Sequence, residues 1–377
     1  MPVVSNALII GGGIAGLSAA VALSKSGVHC DVIEKSSDRL GSSLGLSGRV
    51  GEALTELGVY DQSYETGRPF APGDSVVAQM DSAGNVLDPG ILPPFAWPGA
   101  RIPIGVYRPT FLEILAEAAE ASGAVVRTGL TATSIDDGSE AAHVTFSDGT
   151  EGDYDLIVGA DGIGSQTRTE LFADAPTPAY AGQMSMRWMA DGPAIANEGW
   201  YHSPLGRFGF YYLPHQETVY VAVVLDSAES VRWSQAEAYE VLKNLFDSYT
   251  APAVEELRER LTPDSVIIGR PFESLLIPSP WYRGRTILIG DAAHATTAHM
   301  GQGGAMAIED AVVLGQSIAT AGSLAEAFAS FTERRSDRVR TVVETSLELS
   351  RLEQDRAPVA ENMGVMMKAF QVLAQPY

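Results

Sequence analysis

Ala7-Leu8-Ile9-Ile10-Gly11-Gly12-Gly13-Ile14-Ala15-Gly16 decides how this chain folds. A short apolar run closed by glycines reads as a buried strand. The apolar-periodic stretch from Leu17 to Leu23 then reads as a helix. The glycines between them have separate tasks. Gly11 permits the tight turn, Gly13 lets a pyrophosphate approach bare backbone, and Gly16 lets the helix pack on the strand. The flanks give the pattern its meaning. His29-Cys30-Asp31-Val32-Ile33-Glu34 reads as a second strand and ends in an acid eighteen residues after Gly16. An acid at that place accepts hydrogen bonds from both ribose hydroxyls of an adenosine and disfavours a 2′-phosphate.

Two more stretches follow the same grammar. Asp155 to Gly159 reads as a strand, and Ala160-Asp161-Gly162-Ile163-Gly164-Ser165 as a glycine turn before a helix, with Ser165 or Thr167 as its cap. Thr286 to Ile289 is an apolar run leading into Gly290-Asp291-Ala292-Ala293-His294, and Met300-Gly301-Gln302-Gly303-Gly304 opens a long amphipathic helix. An acid at a strand end can bond a sugar-like hydroxyl. Glycines at a helix start let a flat ring or a phosphate reach backbone N–H groups.

Three strand–glycine–helix units in this order resemble the single-component FAD-dependent aromatic hydroxylases, the family of para-hydroxybenzoate and salicylate hydroxylases, from Leu8 to about Arg340. The resemblance implies an α/β fold: a Rossmann-like FAD-binding domain, an interleaved, mainly antiparallel substrate domain, and C-terminal helices. It implies that Gly11, Gly13, Ile14, Ala15, Gly16, Glu34 and Lys35 hold the ADP half of a non-covalent FAD. Arg108, in Tyr107-Arg108-Pro109-Thr110, would contact the flavin's phosphate or ribityl chain. Asp161 and Gly162 would shape the dinucleotide region, Gly290 and Asp291 would bind the ribityl side, and Gly301, Gln302, Gly303 and Gly304 would lie beside the isoalloxazine. The same likeness implies NADH or NADPH as co-substrate without a Rossmann unit of its own. It also implies a flavin C4a-hydroperoxide that hydroxylates an aromatic or N-heteroaromatic ring. Ala298 stands where the family usually has proline, which frees φ in that loop. The alternatives are a flavin-dependent reductase or halogenase on a related fold, or a flavin-binding sensor without turnover. The halogenase signature Trp-x-Trp-x-Ile-Pro is absent, and Phe95-Ala96-Trp97-Pro98 does not match it.

The flavin domain is expected to be discontinuous, over residues 1–72, 101–174 and 271–345. Residues 73–100 and 175–270 would form the substrate domain, and 346–377 a C-terminal helical segment. Within the substrate domain, Phe208 to Pro214 and Thr218 to Leu225 read as two strands joined at His215-Gln216-Glu217. Arg187, His202, Arg207, Tyr211, Tyr212 and His215 are its polar candidates. Strand alternation separates Tyr211 from Tyr212. Tyr211, Arg207 and His299 are taken as the catalytic candidates, able to favour a phenolate or a deprotonated ring N–H. Arg207 would clamp a carboxylate or a urate-like oxygen, or else form an ion pair. Gly206-Arg207-Phe208-Gly209-Phe210 is closest to the salicylate and urate hydroxylase branches. Arg334 to Arg340 is expected to be solvated or intersubunit, and the methionines after Pro358 to pack.

Composition narrows the partners. A net charge of −22 repels phosphate backbones, so nucleic acid is not expected. The single cysteine, Cys30, forms no internal disulfide and fits a reducing cytoplasm. The six histidines lack metal-ligand spacing. Ala7 to Ile10 is too short for a signal core, and no apolar window is long enough to span a membrane. The expected partners are a small aromatic substrate, O₂ and NAD(P)H, with a homodimer implied by family habit.

Overall fold

The computed structural model describes residues 3–38, 41–71, 74, 77–90 and 99–377; the Phe95–Pro98 stretch lies outside these. Two sheets organise them. The first runs in the order Tyr282–Arg283, Thr286–Leu288, Leu156–Gly159, Asn6–Ile10, His29–Glu34, Val125–Thr128, and all its pairings are parallel except the outermost, at Tyr282–Arg283. Its central strands are apolar on both faces because both are covered, one by helices and the other by the antiparallel sheet of Ala132–Asp137, Ala142–Phe146 and Glu151–Tyr154. The Ile14–Lys25 helix follows the first strand, and its Leu17–Leu23 segment is wholly buried. Gly16 is needed there: a Cβ would sit 1.9 Å from the Gly11 carbonyl oxygen. Gly11 adopts φ +112°, open only to glycine at low cost.

The second sheet runs Ile267–Ser274, Ala179–Asp191, Thr218–Asp226, Gly206–Leu213, Gly199–Ser203, Gln79–Met80, Val86–Asp88, and is antiparallel except where Gly199–Ser203 pairs with Gln79–Met80. Strand alternation gives it two faces. One packs Phe208, Phe210, Val221 and Val223 against the Gln235–Phe246 and Pro252–Arg260 helices. The other carries Arg207, Gly209 and Tyr211 and looks away from that core. The turn between the Gly206–Leu213 and Thr218–Asp226 strands is a short 3-10 helix at Pro214–Gln216, with His215 exposed. The last strand, Ile267–Ser274, runs past the expected boundary at 270/271.

The long Leu324–Gln354 helix and the Val359–Leu373 helix close the structure. Here one expectation is corrected. The basic 334–340 stretch is not a solvated face: Arg335 is fully buried and Arg338 nearly so. Helical spacing puts both on the inward stripe with Phe328, Phe331, Val339 and Val342. Their charges are met by Glu309 and Asp310 of the Gly303–Thr320 helix, at 2.7 Å from Arg335 and Arg338 to Glu309 and 2.8 Å from Arg335 to Asp310. Arg338 also donates to the carbonyls of Leu373 and Gln375, which ties down the chain's last turn. Among the described residues no helix is long and apolar enough to cross a membrane.

Candidate functional site: a glycine cradle and an interdomain pocket

The three glycine turns meet at the C-terminal edge of the parallel sheet, where such sheets bind ligands. Gly11, Gly13, Glu34, Lys35, Arg108, Asp161 and Gly162 line one cavity of about 300 Å³. Glu34 accepts hydrogen bonds from the Gly12 amide at 2.8 Å and the Ser36 amide at 3.0 Å, which fixes its carboxylate at the rim. Lys35 is exposed beside it. Asp161 accepts from the amide and hydroxyl of Thr167, both at 3.0 Å, so it shapes its own turn. Ser165, not Thr167, caps the Gln166–Leu171 helix by accepting from the Arg168 amide.

Gly290 and Asp291 form the third turn. Gly290 sits so close to Ala15 that a Cβ would come within 2.8 Å of the alanine methyl, which joins the first and third loops. What holds this turn is not legible in the local sequence. Asp310, wholly buried, accepts from the Gly290 amide at 2.9 Å, from His294 Nε2 at 2.6 Å and from Arg335 Nε at 2.8 Å. Burial opposes its ionisation, but the His294 and Arg335 charges outweigh burial and hold its carboxyl below the usual range. Asp291 is exposed. Dense protein around it still pushes its carboxyl up, against the pull of His294 and Arg108. Arg108, at the start of the Arg108–Ala121 helix, feels burial first and then the charges of Asp291 and Glu34.

A dinucleotide flavin can be tested against this cradle. A Cβ added at Gly13, Gly45, Gly162, Gly164 or Gly301 would meet nothing within 4 Å, so these backbones border open space. The helices starting at Ile14 and Gly303 have no side-chain cap and no acid in the first turn. Their first N–H groups therefore suit an anion or an electron-rich ring edge. With an acid for the ribose at Glu34, the residues present fit FAD.

The catalytic candidates are divided. Tyr211 donates to Ser43 Oγ at 2.8 Å, because Ser43 already gives its proton to the Val106 carbonyl. It packs edge-on to Phe70 and Tyr220, and burial keeps its phenol protonated well above the usual range. Arg207 and His299 instead meet at a third residue that sequence reasoning missed. Glu353, near the end of the long helix, lies 2.7 Å from Arg207 Nε and 3.5 Å from His299 Nε2. Neither nitrogen is hydrogen-bonded to the carboxylate, so these are close polar contacts without formed hydrogen bonds. Burial disfavours the Glu353 anion, yet the Arg207 and His299 contacts outweigh burial and bring it down to about 2. His299 is buried, edge-on to Phe272, and burial pushes its imidazole down toward the neutral form.

These residues line a second cavity of about 120 Å³, between the antiparallel sheet, the Ala298–His299 loop and the two C-terminal helices. Trp200 lies flat over Gly209, whose Cβ would strike its ring at 2.6 Å, and stacks under the Arg207 guanidinium at 4.2 Å. His202 donates to Gln79 Oε1 at 2.8 Å; burial and then the Arg207 charge push it down to about 4. Met363 and Met366 form the far wall. Of the remaining candidates, Arg187 is occupied by the Met186 and Val223 carbonyls, and Tyr212 packs into the opposite core.

Comparison with known proteins agrees with this geometry. Residues 5–346 match the family described as FAD binding domain. The aurachin C monooxygenase/isomerase of Stigmatella aurantiaca is 29% identical, over 92% of this chain and 89% of its own. The 2-heptyl-3-hydroxy-4(1H)-quinolone synthase of Pseudomonas aeruginosa is 30% identical, over 93% and 90%. The crystal structure of Klebsiella pneumoniae HpxO complexed with FAD and uric acid superposes with a TM-score of 0.79 at 26% identity, covering 99% of this chain and 93% of that one. The chain belongs to the single-component FAD-dependent aromatic hydroxylases, a family of flavoprotein monooxygenases.

Proposed function

We propose that this chain uses FAD, NAD(P)H and O₂ to hydroxylate an aromatic or N-heteroaromatic ring held in the pocket of Trp200, His202, Arg207 and His299. The observation that carries the reading is the pairing of an FAD-shaped glycine cradle with a buried, titratable pocket reached through one loop, Ala298–Gly304. A relative named as the synthase of a hydroxyquinolone, and a structural neighbour that holds uric acid, support a nitrogen-containing ring.

Glu34 and the uncapped N-terminus of the first helix would hold the adenosine and pyrophosphate; Arg108 and Asp291 would flank the ribityl side; Gly301, Gln302, Gly303 and Gly304 would border the ring. Bound FAD would supply the redox chemistry, taking a hydride from NAD(P)H and activating O₂ for transfer of one oxygen atom. The chain's own residues do the rest. Trp200, held between Gly209 and the Arg207 guanidinium, is a rigid wall that keeps Arg207 in place. His299 is neutral and so accepts a proton from a ring O–H or N–H, which makes the ring electron-rich. Glu353, beside it, steadies the imidazolium that forms. Tyr211 stays protonated at Ser43, where it serves as a packing and hydrogen-bonding post and not as a base. The two methionines and the last helix keep water from the ring.

The test is NAD(P)H oxidation by FAD-loaded protein against a panel of phenols, hydroxypyridines, quinolones and purines, with product mass and peroxide followed together. Ligand-stimulated oxidation that adds one oxygen atom is expected. A bound flavin that NAD(P)H never reduces, with any ring present, would sink the reading.

A further inference from the structure

Three polar atoms that lack hydrogen-bond partners converge on the interdomain pocket: Arg207 Nε, His299 Nε2 and Asn362 Oδ1. An unpaired buried polar atom is costly, so their gathering at one cavity marks where a ligand would supply partners. Their chemistry can be read. Thr297 Oγ1 donates to the Ser346 carbonyl at 3.3 Å and so accepts from His299 Nδ1–H at 2.9 Å. That leaves His299 Nε2 as a bare lone pair. His202 gives its Nε2 proton to Gln79, so its other nitrogen is also an acceptor. Asn362 adds a carbonyl oxygen. Arg207 Nε–H is the one donor among the three and already faces Glu353 at 2.7 Å, so what the pocket leaves open are acceptors that ask for a donor.

The charge balance points the same way. Arg207 is the cation lining this cavity and Glu353 is the anion; both side chains are 15% exposed. They cancel at 2.7 Å. Neither histidine adds charge, since both are held in the neutral form. A carboxylate entering here would bring only acceptors, face acceptors, and leave a net negative charge in a poorly solvated space. It would bind only by displacing Glu353 from Arg207. Beyond the polar cluster, Leu349, Val359, Met363 and Met366 make an apolar wall, and methionine adapts to irregular shapes.

We propose that Glu353 sets the charge selectivity of this pocket, which takes an uncharged heteroaromatic ring bearing an N–H or O–H donor and an apolar substituent, and excludes aromatic carboxylates. The proposal rests on the monooxygenase reading above and names the class of ring that it acts on. Arg207 is thereby withdrawn from the carboxylate-clamping role that the sequence left open. His299 contacts the donor, while Glu353 acts through Arg207 and His299 and is a specificity-determining, positioning residue.

The experiment is calorimetric titration of the FAD-loaded protein with matched rings: 2-hydroxypyridine against 6-hydroxynicotinate, and 4-hydroxyquinoline against its 2-carboxylate. In the native protein the uncharged member is expected to bind at least about tenfold more tightly, a difference of about 1.4 kcal/mol. Replacing the 4-hydroxyquinoline with a 2-alkyl homologue should tighten binding further. In Glu353→Gln the carboxylated members should gain at least about tenfold and the preference collapse. Equal or tighter binding of the carboxylates by the native protein overturns the proposal, as does an unchanged ratio in the variant or no binding by either member of both pairs. If Glu353→Gln does not fold, the native ratios decide alone. Efficient hydroxylation of a carboxylated ring would overturn the selectivity and leave the monooxygenase reading standing. A flavin that is never reduced would remove that reading and leave the binding ratios measured.

Discussion

The glycine cradle and the interdomain pocket are built by opposite means. The cradle is a backbone site. Its walls are largely loops that each follow a strand of one sheet, and its recognising groups are helix N-termini and a few acids. The pocket is a side-chain site. Gln79, Trp200, Arg207, His299, Glu353 and Met363 come from five separated stretches of chain. Backbone geometry is set within a loop, so the cradle suits a ligand that does not vary. A side-chain pocket changes with each residue, so it suits the part of the reaction that distinguishes one substrate from another. The Gly290–Gly304 segment touches both regions, through Gly290 against Ala15 and through His299 in the pocket, and Asp310 fastens it from behind.

The sharpest way to break the comparison is at that fastening. Asp310→Ala would leave Arg335 buried without half its counter-charge and release both the Gly290 amide and His294. Breaking a buried pair of this kind costs about 3–5 kcal/mol. Urea unfolding should show that loss, and the FAD-to-protein absorbance ratio should fall with it. A loss below about 1 kcal/mol would mean that the cradle does not depend on the core behind it.

Acid should act on the pocket first. His202 is held at about 4 in the fold against an ordinary 6.5, so the unfolded chain takes up its proton first as pH falls. Stability from the neutral imidazole is complete above about pH 6.5 and drains away as pH drops toward 4. His299 shifts in the same direction. Glu353 adds a second, lower window: its ionised form stabilises the fold above 4.5, and that contribution is lost as pH falls toward 2. Melting temperatures of native protein and His202→Gln should therefore differ least at neutral pH in their slope, with the variant flatter between pH 6.5 and 4. Parallel profiles would place the acid sensitivity elsewhere.

The smallest stability effect should come at Gly13. Its backbone, at φ −81° and ψ −172°, accepts alanine, and a Cβ there meets nothing within 4 Å. Gly13→Ala should change unfolding stability by less than about 0.5 kcal/mol while weakening FAD, since the methyl enters the space a pyrophosphate would use. Unaltered FAD affinity, measured by fluorescence on release, would show that the cofactor does not approach this backbone.

Much of this was legible in the chain. Tyr211 and Tyr212 do take opposite faces, because strand periodicity is local. The Pro214–Gln216 turn and the helices after it fall where turn and spacing signals put them. Arg335 and Arg338 were misleading because a charge run reads the same whether its partners are water or two buried acids far away in sequence. Glu353 gave no signal at all: it is one acid among many on a long helix, and only the fold carries it to Arg207.

Local sequence was enough for the parallel sheet, its three glycine turns and the acid that ends the second strand, since each depends on steric rules that act within a few residues. The tertiary structure alone decided which charges are buried, that Asp310 fastens the third turn, and that Arg207 faces Glu353 beside His299. Those outcomes depend on side chains meeting across large sequence separations, where burial changes the strength and the sign of what a charge contributes.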